Sequence, residues 1–443
     1  MTVSDVDRST IFAPATGSTR SAVAILRVSG PAAGLVAERL AARTPEPRRP
    51  TLVALTDPVH GGAIDRALLL YFPGPASFTG EDVLEIQHHG SPAVARRLAD
   101  VLADMPELRP AEPGEFTKRA FLSGKLDLTQ AEGLADLIEA SSLAQARVAL
   151  RQMDGVQGRL YRAWRETILQ ALALLEAEID FAAEEEVPDR LWQSVEPPLR
   201  ATAMAIGRHL DDGRKGERLR EGLVVAVIGA PNVGKSSLVN ALARREVAIV
   251  TMIPGTTRDV IEVSLDLEGL PITLLDTAGL RESEDPIERE GIARARARAA
   301  SADLRLRLVD DPADVEAVGG GEATLTVLNK ADLWAESLLP VGVLRVSAAT
   351  GQGLDGLAAT LVREARALLP EEDAVVVTRS RHRVALADAA AALTRALELG
   401  GDADLGLLAE EVRLAARAIG RVTGAFGVED ILDRVFATFC IGK

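Results

Sequence analysis

Cysteine is nearly absent from this chain. Only Cys440 occurs among 443 residues, so no internal disulfide can form, which accords with a reducing compartment. Positive charge is short as well. The 65 acidic residues outnumber 50 basic ones, a net charge of −15. A protein that held nucleic acid mainly by neutralising phosphates would normally be basic, so any RNA contact is expected to be local or delegated to a partner. No apolar run approaches the roughly 18 residues that a membrane helix needs. The opening residues, MTVSDVDRST, have neither a basic n-region nor an apolar h-region. A soluble, cytoplasmic protein with no membrane attachment is expected. The length exceeds what one hydrophobic core usually serves, and 47% apolar content is ample for two or three domains.

What is present is organised around residues 229 to 237, Gly229-Ala-Pro-Asn232-Val233-Gly234-Lys235-Ser236-Ser237. Leu223 to Ile228 reads as a buried parallel strand before this loop, and Leu238 onward reads as helix after it. That order suits a P-loop. Glycines let backbone N–H groups wrap phosphates at a helix N-terminus, Lys235 reaches the terminal phosphates, and the Ser236 hydroxyl ligates Mg²⁺. Further signatures follow in sequence. Gly255-Thr256-Thr257-Arg-Asp259 can supply Thr257 to the metal, and Asp276-Thr277-Ala278-Gly279 follows a strand and can hold Mg²⁺ through water. Asn329-Lys330-Ala331-Asp332 follows the strand TLTVL. Its carboxylate can accept two hydrogen bonds from guanine N1 and N2, a donor pair that adenine lacks. Ser347-Ala348-Ala349 is expected to close over the base.

The expected class is therefore multidomain α/β and α+β. Residues 1–125 read as a mixed domain, with strands at Ser21 to Val28, Leu68 to Phe72 and Asp82 to Gln87 and a helix from Pro92 to Met105. Residues 126–218 carry helical periods, interrupted at Pro188 by a helix end or linker. A linker at Asp211 to Glu217 leads into residues 219–370, a doubly wound parallel sheet. Residues 371–443 return to helices, so the central domain reads as an insertion into a helical one. Leu304-Arg305-Leu306-Arg307-Leu308-Val309 is odd, since a buried parallel strand should be continuously apolar. Either its arginines reach an edge or the strand is atypical.

Together the P-loop, GTTRD, DTAGLRE, NKAD, SFTGEDVLEIQHHGSPAVARRL, PGEFTKRAFLSGKLDLTQAEGLADLIEA and the terminal FCIGK resemble the tRNA-modification GTPase MnmE (TrmE) family over almost the whole chain. The resemblance implies an N-terminal folate-binding and dimerising domain, a helical domain and an inserted Ras-like G domain in a homodimer. It implies a heterotetramer with the flavoprotein MnmG that adds a (carboxymethyl)aminomethyl group at C5 of the wobble uridine of certain tRNAs. The one-carbon unit is carried as 5,10-methylene- or 5-formyl-tetrahydrofolate. A ribosome-assembly or translational switch without modification chemistry is the competing reading. Such a protein should carry a basic face, a GXXG loop or a second G domain, and none is seen here.

The resemblance also assigns roles. Ras-like switches place a water-orienting glutamine after DxxG, but this chain has Leu280, which cannot hydrogen-bond. Glu288 matches the family's catalytic glutamate; the alternative is a solvated acid at a helix start. No arginine finger in cis is identifiable, and the resemblance makes Asn232 a K⁺ ligand, joined by Thr251, Ile253 and Thr256. Alternatively, Asn232 shapes the loop and Arg258 or Arg281 acts as the finger. Met252 and Pro254 complete the nucleotide-contacting loop. Around the folate it places Arg27, Glu85, Lys125 and Lys443. Cys440 is a nucleophile candidate or a buried small hydrophobe. Val435 to Cys440 is apolar enough to dock as a helix and so deliver Lys443 to a fixed place.

Overall fold

A computed structural model of the chain describes residues 9–17, 20–181, 188–245, 247–249, 262–276, 297, 299–316, 323–334, 343–371, 374–401, 403–426, 432, 435–437, 439–440 and 442. It divides into two compact units that interleave along the sequence. Residues 1–135, 152–166 and 416–443 form one, and residues 136–151 and 167–415 the other.

The first unit is built on a sheet of β1 (Thr10–Pro14), β2 (Ser21–Ser29), β3 (Thr51–Thr56), β4 (Ala63–Phe72), β5 (Val83–Gly90) and β6 (Leu108–Pro110), in the order β3-β4-β5-β2-β1-β6. The β1–β6 pair is parallel and the other pairs antiparallel. The three strands expected here are present, with β1, β3, β6 and the first half of β4 in addition. Strand alternation sorts the side chains. Phe12, Leu26, Val28, Leu84 and Ile86 join the core formed with the helices Ala33–Ala41 and Pro92–Ala103, whereas Ile11 and Ala13 pack with Ala111 and Phe116. Arg27 lies between Leu26 and Val28, and Glu85 between Leu84 and Ile86. Both therefore project from the sheet face opposite those helices.

The second unit holds β7 (Leu223–Gly229), β8 (Val247–Ile249), β9 (Glu262–Leu267), β10 (Leu270–Asp276), β11 (Leu304–Val309), β12 (Thr324–Leu328) and β13 (Leu344–Arg345), in the order β13-β12-β11-β7-β10-β9-β8. The run from β13 to β10 is parallel; β9 and β8 extend it antiparallel. Helices Lys235–Arg245 and Leu354–Leu368 bury Leu238, Leu242, Leu357 and Leu361 in its core. Helices on either side of this domain in sequence, Pro188–Leu210 and Ser380–Leu399, pack together.

Three expectations change. Pro188 opens a helix, a position proline tolerates because the first N–H groups have no intrahelical partner. The stretch expected as a linker is partly ordered as the helix Lys215–Glu221. Strand β11 is interior, between β7 and β12, so its arginines do not mark an edge. Leu304, Leu306 and Leu308 are buried while Arg305 is exposed and donates to the Ala300 carbonyl at 3.2 Å. The strand is half-buried despite its interior place. Gly319 to Gly321, before NKAD, lie outside the described residues.

Candidate functional site

Strand β7 ends at Gly229, and the loop turns through Asn232 (φ 65°) and Gly234 (φ 95°) into the helix Lys235–Arg245. Gly234 is required twice over. Its φ suits glycine, and a Cβ there would lie 2.3 Å from Asn329 Nδ2. Lys235 is buried, and its ammonium donates to the carbonyls of Gly229 and Ala230, each at 2.9 Å. The cation is thus held inside the loop that is to receive phosphates. Val233 is buried and anchors the loop, Ser236 is half-buried at the first turn of the helix, and Ser237 is exposed.

The other described signatures converge on the same strand ends. Asn329, 2% exposed, follows β12; its Nδ2 donates to Val233 O at 2.8 Å and its Oδ1 accepts from Ala348 N at 3.2 Å. One side chain thereby ties the P-loop to the Ser347-Ala348-Ala349 loop. Ala331 N donates to Val346 O at 2.9 Å. Ser347 is fully buried and its Oγ accepts from Thr350 N at 3.2 Å. Asp332 is exposed within the short turn Ala331–Leu333, open to an incoming base. Asp276, the last residue of β10 and the register partner of Val227, is buried. Carboxyl ends of adjacent parallel strands are where open α/β sheets bind ligands.

These residues fit a guanine nucleotide with Mg²⁺: a glycine cradle that a Cβ would fill, a buried ammonium, and Ser236 and Asp276 at positions suited to the metal. Among the described residues no cluster of three or more His, Cys, Asp or Glu forms a metal site by itself. Thr251, Met252, Ile253, Pro254, Gly255, Thr256, Thr257, Thr277, Ala278, Gly279 and Glu288 lie outside the described residues.

A second constellation occupies the first unit. Arg27 and Glu85 are register partners on β2 and β5, joined at 2.8 Å, with the guanidinium over the rings of Phe78 (5.6 Å) and Phe116 (5.8 Å). Lys125 is exposed; its Cε lies 3.5 Å from the place a Cβ on Gly80 would take, beside the loop bearing Phe78. The chain terminus comes close. Gly114 N donates to Cys440 O at 3.4 Å, and a Cβ on Gly442 would lie 1.9 Å from Pro14 O. Residues 435–437 are helical, and Phe436 and Phe439 are buried with Leu128, Ala131 and Ala135. Cys440 itself is exposed and beyond that helical turn, so it is not a buried small hydrophobe. Phe436 and Phe439 supply the buried apolar contacts there instead. Lys443 lies outside the described residues.

Sequence reasoning missed the support beneath this face. Arg119, 3% exposed, joins Glu115 at 2.9 Å and Glu81 at 3.0 Å, and Arg109 reaches Glu115 at 2.7 Å. Burial pushes the Glu115 carboxyl up, but hydrogen bonds from Arg109, the Glu112 N–H and Arg119 outweigh it and hold the group below its ordinary value. The spacing of Glu115 and Arg119 on one helix was the available signal. Asp310, which follows β11, was missed as well.

No helix among the described residues is long and apolar enough to cross a membrane. A family model described as MnmE helical domain matches residues 128–440, and one described as GTP-binding protein TrmE N-terminus matches residues 10–125. The tRNA modification GTPase MnmE of Parvibaculum lavamentivorans is 52% identical over 443 residues, covering 98% of this chain and 100% of that protein. That of Rhodospirillum rubrum is 53% identical over 456 residues, covering 98% and 99%. Among solved structures, the G domain of the T. maritima FeoB iron transporter is 28% identical and covers 32% of this chain and 98% of that one, with a TM-score of 0.25.

Proposed function

Because the chain belongs to the MnmE (TrmE) family of tRNA modification GTPases, we propose that it couples GTP hydrolysis to modification of the wobble uridine at C5, working with MnmG on tRNA. The GTPase assignment rests on one observation above all: Asn329 bridges the P-loop at Val233 and the base-side loop at Ala348, which makes the phosphate and guanine subsites a single unit. Asn232 to Ser237 receive the phosphates, Asp332 reads guanine, and Ser347 to Ala349 cover the base. Ser236 and Thr257 would hold Mg²⁺, with Asp276 acting through water, and the ion would supply charge neutralisation at the phosphates. Thr251, Met252, Ile253, Pro254, Gly255, Thr256, Thr277, Ala278 and Gly279 complete the nucleotide contacts.

The finer reading has three parts. Asn232, Thr251, Ile253 and Thr256 hold K⁺ against the phosphates, and Glu288 positions the attacking water. Two G domains associate within a homodimer, which assembles with MnmG into a heterotetramer. Arg27, Glu85, Lys125 and Lys443 bind a tetrahydrofolate: a carboxylate suits the pterin donors, cations suit the glutamate tail, and Phe78 and Phe116 offer ring faces beside Arg27. The domain limits 1–125, 126–218, 219–370 and 371–443 are proposed as the functional modules, with the protein in the cytoplasm. Mass analysis of wobble uridines from cells lacking this protein, with and without the restored gene, tests the reading. Unchanged uridines, alongside normal GTP hydrolysis in vitro, would favour the assembly-switch alternative.

A further inference from the structure

Asp310 directly follows β11 and grips the guanine-reading loop at two points. Its Oδ2 lies 2.6 Å from the Lys330 ammonium, and its backbone carbonyl accepts from Trp334 Nε1 at 3.0 Å. Asp332 sits between these two anchors in the chain. We propose that Asp310 is a positioning residue for guanine recognition, acting through Lys330 and Asp332; the proposal rests on the guanine-nucleotide reading above.

Backbone and charge both support this. Lys330 is in the left-handed region (φ 56°, ψ 36°), which disfavours a side chain bearing a Cβ by about 1 kcal/mol unless the surroundings hold it. The surroundings do hold it: Asn329 N donates to Val309 O at 2.8 Å, Ala331 N to Val346 O at 2.9 Å and Leu333 N to Lys330 O at 2.9 Å. With the backbone set, the remaining freedom is where the ammonium goes, and Asp310 holds it. An ammonium paired with Asp332 would occupy the oxygens that guanine N1 and N2 need. Pairing with Asp310 leaves them open. The Asp310 and Lys330 side chains are 33% and 38% exposed, so the pair adds little to folding stability. Its effect falls on binding.

The test uses the full-length protein with fluorescent GDP and IDP, the latter lacking the guanine N2 amine. Asp310→Ala is expected to weaken GDP about tenfold, equivalent to about 1.4 kcal/mol, chiefly by faster release. IDP should weaken less, so that discrimination between the two falls. Asp310→Glu should recover most of the loss, and Asp310→Ala combined with Lys330→Ala should be no worse than the poorer single variant. Equal weakening of GDP and IDP, multiplying losses in the double variant, or parental binding in Asp310→Ala would each overturn the proposal. A parent that fails to bind GDP would overturn the guanine reading and this proposal with it.

Discussion

Asp136 and Arg379, 243 residues apart in the chain, meet at 2.6 Å, and the same carboxylate oxygen accepts from Arg220 Nε at 2.9 Å. Arg220 lies in the helix that leads into β7, and Arg379 precedes the helix that leaves the G domain. A second arginine of that outgoing helix, Arg383, reaches Asp212 at 2.7 Å and Glu217 at 3.0 Å. The two chain crossings of the inserted domain are thus closed by charge. Asp136 and Arg379 side chains are 10% and 17% exposed, and removing one partner of such a pair costs about 3 kcal/mol. Asp136→Ala should lower the melting temperature by about 6–12 °C and leave GDP affinity near parental, because the arginines it holds, Arg220 and Arg379, both lie outside the P-loop. Calorimetry showing an unchanged melting temperature would count against the clamp.

Glu115 carries a pH signature. Its carboxyl is held below the ordinary 4.5, through hydrogen bonds from Arg109, the Glu112 N–H and Arg119 that outweigh burial. A depressed acid contributes stability that is fully present above the unfolded value and is lost as pH falls through the lower folded value. Glu115→Gln should therefore melt earlier than the parent at neutral pH, with the gap narrowing below about pH 4.5. A gap that is constant from pH 7 down to about 3 would show that Glu115 is not responsible.

Hydrolysis should depend on Glu288 and on the monovalent cation. Glu288→Ala is expected to bind GTP normally while turning over at least about a hundredfold more slowly, the range for a positioned acid or base. Parental turnover in that variant would return the water-orienting role to another group. The parent should hydrolyse GTP faster in K⁺ than in Na⁺; equal rates would remove K⁺ and point to Arg258 or Arg281 as the cation.

The chain terminus should separate the two chemistries. Cys440 and Gly442 run against Gly114 and Pro14 in the first unit, while the described nucleotide residues belong to the second. Deleting Ile441 to Lys443 should leave GTP hydrolysis by the isolated protein nearly intact and abolish wobble-uridine modification. Modification that persists in the truncated protein, read by mass analysis of tRNA, would deny the tail an active-site role. Cys440→Ser tests the exposed thiol separately, with loss of modification expected if it acts as nucleophile.

By itself the sequence determined the local pieces: the apolar run of β7, the P-loop that must follow it, the NKAD turn after β12, and the helical periods on either side. Each is written in neighbouring residues, through alternation, the 3.6-residue repeat and glycines that only certain turns need. Only the tertiary structure decided what those pieces meet. Antiparallel register across β2 and β5 set Arg27 against Glu85, 58 positions away. Close approach of two loops put Asn329 on Val233, 96 positions away, and left no room for a Cβ at Gly234. Half-burial of an interior strand tolerated Arg305 where continuous apolarity was expected. Register, close approach and burial depend on which distant surfaces pack together, and no short-range pattern encodes that choice.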